Sequence, residues 1–365
     1  MRAAVLRGVG EIEVADVPQP ESTSPDSIRV RIGAVGVCGS DVLRFAVGKG
    51  YGFPLVLGHE MSGIVAEDAP EHGYRAGDRV AVFPCLPRDD DPMSEIGEYA
   101  LGEEYDYFGS RRDGGLQEEL SVPPRNLFRL PDHVSLIEGA MVEPAGVALH
   151  AVRRATVPAN ATALVIGAGP IGLLAAQWLR VLGAVRVVVA DLDARKREIA
   201  ERMGFETLAP GERGSDELML ELTDGRGADI SVEASGRAVT LRQAITATAH
   251  RGQVVLLGDL ADDFAMPKEL VSRILRRELT LLGTWNAKIA PRGQSDWDMV
   301  IASIGRGVNV RDLVSSVSIL DDAPAVFADL AERQSWSNKT IFAIAPEAQE
   351  ETPEFRSSAS WRGDA

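Results

Sequence analysis

Cysteine is scarce in this chain, with only Cys38 and Cys85 among 365 residues. Two thiols cannot make a disulfide framework, and a reducing cytoplasm is the expected setting. Long hydrophobic runs are also missing: no apolar stretch reaches the ~18 residues of a membrane span. The opening Met1-Arg2-Ala3-Ala4-Val5-Leu6-Arg7 lacks the apolar core of a secretory signal. Positive charge is in deficit, 38 Lys and Arg against 54 Asp and Glu, for a net charge of −16. Such an acidic surface disfavours nucleic acid and anionic membranes. What remains is an ordinary globular composition, 45% hydrophobic and 25% charged. The chain is long enough for two domains, since single cores rarely grow beyond about 250–300 residues.

The pattern changes along the chain. Short strands are expected at Ala3–Leu6, Glu11–Val14, Ser27–Ala34 and Arg79–Phe83, with Gly and Pro punctuation to about Pro131. Helical spacing runs from Glu138 through Val152. The strand Ala163–Ile166 follows, then a glycine-rich turn, an apolar helix Ile171–Leu182, the strand Val185–Ala190 and a charged helix from Ala194. Further strands at Ile230–Val232, Val254–Leu257 and Leu279–Leu282 alternate with helical stretches such as Ala238–Ala249. Alternation of this kind predicts an α/β fold with a doubly wound parallel sheet. The expected organisation is a β-rich domain over 1–151, a sheet domain over 152–285, a return to the first domain over 286–345, and a polar, disordered tail over 346–365.

Gly167-Ala168-Gly169-Pro170-Ile171-Gly172 is a G-x-G-x-x-G between a predicted strand and a helix, the context a dinucleotide site requires. Its glycines permit a tight turn and close approach of backbone to pyrophosphate, at a helix N-terminus suited to phosphate. Asp191 ends the next strand, where a carboxylate accepts from the adenosine ribose and repels a 2′-phosphate. NAD is therefore favoured over NADP, although Arg195 and Lys196 stand close by. As a bare turn between packed elements, the same glycines would need no ligand.

Three short segments carry metal-ligand chemistry: Val37-Cys38-Gly39-Ser40-Asp41, Gly58-His59-Glu60 and Val142-Glu143-Pro144. A thiolate, an imidazole and a carboxylate make a zinc shell that keeps one position open for reaction. Asp41 is near enough in the chain to fix the other His59 nitrogen. Glu60 and Glu143 compete for the third ligand position. Zinc there polarises a carbonyl or stabilises an alkoxide, and Ser40 can bind the same oxygen and carry its proton. Taken singly, a cysteine is more often a small buried hydrophobe than a ligand. The combination with a dinucleotide turn is what argues for an enzyme.

With these motifs the chain resembles the medium-chain, zinc-dependent alcohol dehydrogenase superfamily, over nearly its whole length to about residue 345. Gly77-Asp78-Arg79-Val80, Glu143-Pro144 and Glu233-Ala234-Ser235-Gly236 belong to the likeness. The segments 105–115 (YDYFGSRRDGG) and 274–280 (ILRRELT) look most like the polyol branch, especially galactitol-1-phosphate dehydrogenases. The resemblance implies a GroES-like catalytic domain, a Rossmann cofactor domain, hydride transfer to nicotinamide, and catalytic zinc on Cys38, His59 and a glutamate.

Two departures stand out. The four cysteines that hold a structural zinc in many relatives fall here on Arg88, Asp91, Ser94 and Gly102, with Cys85 out of register. One zinc per chain is therefore expected, with 86–104 a mobile acidic loop or a segment held by another subunit. The histidine relay five residues beyond the zinc cysteine is Leu43, so the proton needs another route, through Ser40 and water or through Glu60.

Arg44, Lys49, Arg111 and Arg112 are candidate cations for a phosphorylated substrate, or surface charges paired with local acids. Asn286 and Trp285 are candidates for contact with sugar hydroxyls or nicotinamide. The expected function is oxidation of a secondary hydroxyl on a polyol, sugar or cyclitol, phosphorylated or not. The rivals are a carbonyl or conjugated-alkene reductase of a biosynthetic pathway and a non-catalytic NAD-binding protein. The expected partners are a small-molecule substrate and further copies of the chain, as a homodimer or homotetramer.

Overall fold

The computed structural model describes residues 1–22, 24–50, 52–290 and 292–358. Contacts divide the chain into two compact units. One contains Met1–Glu143, Lys288–Gly305 and the chain from Val310 onward; the other contains Pro144–Ala287 and Arg306–Asn309. The division thus falls inside the helix Val142–Arg154, earlier than the change at 152 read from the pattern.

The first unit is β-rich. Its seven-stranded sheet runs Leu127–Arg129, Arg79–Val82, Glu60–Val65, Ile28–Gly36, Thr340–Ala343 and Ser316–Ser318, with Glu119–Val122 also pairing with Ile28–Gly36. Ile28, Val30 and Ile32 alternate into the core, where Phe108, Leu116, Phe327 and Phe342 join them. Register decides what happens at one end of this sheet. Gly36 stands opposite Glu60 on one side and Ile341 on the other, both antiparallel. The chain leaving Gly36 and the chain entering Glu60 and Thr340 therefore meet, bringing Cys38, His59 and Lys339 to one place.

The second unit carries the doubly wound sheet. Its six strands run Glu206–Leu208, Arg186–Ala190, Thr162–Ile166, Ala228–Glu233, Thr248–Leu256 and Thr280–Gly283, and every neighbouring pair is parallel. Strands such as Thr162–Ile166 are buried throughout, as expected of parallel strands covered on both faces. The order reverses between Thr162–Ile166 and Ala228–Glu233, the switch point where such sheets bind ligands.

Two expectations are corrected. The polar tail is not disordered as far as it is described: Pro346–Ser358 is a helix. Ala348, Thr352 and Phe355 are spaced to share one face, and all three are buried. That stripe is too short to stand out among the acids around it. Residues 359–365 of the expected tail lie outside the described residues. The segment 86–104 is likewise built, not a mobile loop. Asp91 caps the helix Pro92–Glu95 through Met93 N–H at 2.8 Å, and its other oxygen accepts Glu103 N–H at 3.1 Å. Gly97 C=O accepts Ile289 N–H at 2.9 Å, and Lys288 pairs with Glu98 at 3.1 Å.

Candidate functional site

Cys38 ends the connection out of Ile28–Gly36 and caps the helix Gly39–Val47; the Asp41 carboxylate accepts the Cys38 N–H at 3.0 Å. His59 and Glu60 open the neighbouring strand. One donor atom from each of Cys38, His59 and Glu60 lies within 4.8 Å of the others. His59 and Glu60 are buried while Cys38 and Ser40 are partly exposed, so the cluster is closed behind and open towards the start of the helix. A sulfur, a nitrogen and an oxygen converging around an open side fit a catalytic zinc. Burial pushes the other thiol, Cys85, up to about 12, whereas Cys38 is partly exposed.

The surrounding charges hold these groups. Asp41 Oδ1 is 3.4 Å from His59 Nδ1 and 3.4 Å from an Arg44 nitrogen. Burial lowers the His59 imidazole, but the Asp41 carboxylate outweighs it and holds the ring well above its ordinary value. The same pair keeps Asp41 below the usual carboxylate range in spite of burial. Arg44 also donates to Ser40 Oγ at 3.1 Å. Behind the cluster, Lys339 forms an ion pair with Glu60 and donates to Val37 C=O at 2.9 Å. Burial opposes the Lys339 charge, and Glu60 more than restores it.

Glu143 begins the helix Val142–Arg154 and is buried, outside the cluster of three. Burial pushes its carboxyl up to about 7, with Glu60 adding to the rise while His59, Lys339 and the Tyr107 hydroxyl oppose it. Tyr107 donates to Glu143 Oε1 at 3.2 Å and sets its ring edge-on to His59, centroids 5.9 Å apart. A nearby divalent cation would reverse that rise by favouring the carboxylate.

In the second unit, the glycines behave as a dinucleotide turn demands. Gly167 has φ +107°, and a Cβ on Gly172 would lie 1.8 Å from Gly167 O. A Cβ on Gly169 would meet open space, so the cradle is clear where a pyrophosphate would approach. Pro170 and Ile171 start the helix Pro170–Val181 with Gly169 as its cap. Asp191 accepts Ala168 N–H at 2.7 Å and Asp193 N–H at 2.8 Å, which ties the strand end to the turn. Lys196 lies on the helix Ala194–Arg202, half-buried.

The substrate candidates are mostly engaged within the chain. Arg112 pairs with Asp106 at 2.6 Å. Arg111 donates to Tyr105 C=O and lies 4.1 Å over the Tyr105 ring. Asn286 accepts Ala287 N–H through its own side chain at 2.8 Å. Trp285 is 55% exposed and Leu43 46%. Lys339 and Tyr107 are the groups that sequence reading missed as site residues. Lys339 reaches Val37 across 302 positions, and its one local signal is a lysine directly before a fully buried strand.

Residues 24–132 match the family of alcohol dehydrogenase GroES-like domains, and residues 170–306 the zinc-binding dehydrogenase family. Galactitol 1-phosphate 5-dehydrogenase of Escherichia coli strain K12 is 34% identical over 302 residues, covering 82% of this chain and 87% of the relative. L-idonate 5-dehydrogenase of Vitis vinifera is 33% identical over 325 residues, covering 86% of each. The crystal structure of galactitol-1-phosphate dehydrogenase from Escherichia coli matches with a TM-score of 0.86 at 31% identity, over 94% of this chain and 100% of that one. A Sinorhizobium meliloti protein solved with bound NADP matches at 0.84 and 28% identity, over 94% and 98%. The chain therefore belongs to the medium-chain, zinc-dependent alcohol dehydrogenase superfamily, in its polyol dehydrogenase branch, and is an oxidoreductase.

Proposed function

We propose that this chain is a single-zinc, NAD-dependent dehydrogenase that interconverts a secondary alcohol and a ketone on a polyol, sugar or cyclitol. The observation that carries the reading is the convergence of Cys38, His59 and Glu60 in a chain that also holds an open dinucleotide turn. These three residues would hold the metal, with Asp41 fixing the His59 ring and Lys339 holding Glu60. Lewis acidity toward the reacting oxygen is the chemistry zinc supplies when bound, as hydride acceptance is that of NAD.

Ser40, on the open side of the cluster, takes the role of hydrogen-bonding the reacting oxygen and passing its proton to water. Arg44 donates to Ser40 Oγ, which leaves the serine's own proton free to point at that oxygen. Glu143, with Tyr107 on its carboxylate, is assigned to holding water beside the cluster. NAD is preferred because a ribose 2′-phosphate would meet the Asp191 carboxylate; the neighbour solved with NADP makes NADP the comparison to run. The named activities of the relatives on a phosphorylated polyol and on idonate support a polyhydroxylated substrate, phosphorylated forms included. Homo-oligomerisation belongs to the same reading, supported by the open outer edge of Thr280–Gly283.

The test combines metal analysis with steady-state assays in both directions, using polyols, their phosphates and cyclitol ketones with each cofactor. About one zinc per chain is expected, with turnover lost in Cys38→Ser and NAD affinity retained. Turnover that survives Cys38→Ser, or less than about half a zinc per purified chain, overturns the zinc mechanism.

A further inference from the structure

Glu233-Ala234-Ser235-Gly236 closes the strand Ala228–Glu233, and nothing in the proposed chemistry uses it. The Glu233 side chain is 1% exposed, yet it is crowded with donors. Oε1 accepts Ser235 N–H at 2.9 Å and Ser235 Oγ–H at 2.7 Å, and lies 2.9 Å from Thr240 Oγ1, whose one proton is shared with Arg237 C=O at 2.7 Å. The Gly236 N–H is shared between the two carboxylate oxygens at 3.0 and 3.2 Å. The backbone N–H groups of Ser235 and Gly236 both use this side chain as an acceptor, the role of a carboxylate oxygen. Among the described residues no basic side chain pairs with it, so the negative charge is held by dipoles alone.

Its position matters. Glu233 is in register with Ile166 and Leu256, at the C-terminal ends of three adjacent strands and beside the switch point of the sheet. Gly167 packs against the same turn: a Cβ there would lie 3.1 Å from Ala234 C and Ser235 N. With Asp191 on the adenosine ribose, as the cofactor reading has it, the adenosine half would lie over Arg186–Ala190. The other mononucleotide half then falls on the side of Ala228–Glu233, because the ligand spans the crevice.

We propose that Glu233 is a positioning residue that fixes this wall of the dinucleotide cleft and whose buried negative charge favours the oxidised nicotinamide over the reduced one. The inference rests on the cofactor reading above. The oxidised ring carries a positive charge that disappears when it accepts hydride, so a fixed anion nearby holds the two forms unequally. A fixed carboxylate on the nicotinamide side of the cleft would bias the two affinities on the order of tenfold. The bound reduced cofactor becomes the better hydride donor and is released more easily.

The experiment is equilibrium titration of the full zinc-loaded chain with NAD+ and with NADH, in wild type and in Glu233→Gln. The ratio of the NAD+ to the NADH dissociation constant should rise on the order of tenfold in the variant. Glu233→Asp keeps a carboxylate at the same place; its ratio should stay close to wild type even where both affinities fall. Glu233→Met, also without a carboxylate, decides the question if Glu233→Gln does not fold. Equal weakening of both forms in Glu233→Gln, or a ratio in Glu233→Asp as high as in Glu233→Gln, makes the glutamate merely structural and overturns the inference alone. Wild type that binds neither form sinks the cofactor reading and the inference together.

Discussion

Lys339 and Glu60 face each other with side chains 4% and 2% exposed, and Glu60 is the main reason Lys339 can stay charged against its burial. Removing one partner of a buried pair leaves an uncompensated charge and costs about 3–5 kcal/mol. A divalent cation on Glu60 would supply a second positive neighbour. Lys339→Met should therefore lower the unfolding free energy by ~3 kcal/mol in chelator and by clearly less in zinc, read from urea unfolding under both conditions. Equal losses would remove Glu60 from the ligand set. At this scale the legible residues were those whose partners lie close by in the chain. Cys38 and Asp41 are three positions apart, and His59 and Glu60 are adjacent. Tyr107 and Lys339 reach the site only through hairpin and sheet register, which no local spacing reports.

Among the elements, the helix Pro346–Ser358 departs furthest from what composition implied. Glu351 accepts Leu136 N–H at 3.0 Å and Ile137 N–H at 3.1 Å, satisfying two free donors at the start of the helix Leu136–Gly139. Arg31 pairs with Glu347 at 2.7 Å, and Arg311 lies 4.9 Å over the Phe355 ring. The acids that made this segment look like a solvated tail are in part its anchors. Glu351→Ala should cost about 1–2 kcal/mol, by the scale of lost capping interactions, seen as a lower midpoint in thermal or urea unfolding. An unchanged midpoint would mean that the helix contributes nothing to the unit it packs on. The lobe 86–104 follows the same logic, with Asp91 gathering backbone N–H groups from both ends of the segment.

For the whole molecule, association between copies turns on the outer edge of the parallel sheet. Val271 and Leu275 stand four positions apart on the helix Lys268–Arg277 and are 41% and 72% exposed, and this helix leads in the chain to the outer strand Thr280–Gly283. Strands left with an open edge are templates for pairing. If this surface joins two copies, Leu275→Glu should shift the mass measured by light scattering from oligomer toward monomer, with zinc content unchanged. An unchanged oligomeric mass would place the interface elsewhere.

The sequence by itself determined the two-part plan, the glycine turn between strand and helix, Cys38 and His59 as candidate ligands, and the absence of cysteine at 88, 91, 94 and 102. These depend on local rules: strand and helix periodicity, glycine geometry and the chemistry of ligand types at short spacing. Only the tertiary structure decided that Glu60, rather than Glu143, joins Cys38 and His59 within 4.8 Å, that Lys339 stands behind it, and that Arg111 and Arg112 are bound up with Tyr105 and Asp106. Each of those outcomes is set by antiparallel register and burial. These bring together residues far apart in the chain and charge groups according to what lies beside them, information that no single stretch of the chain contains.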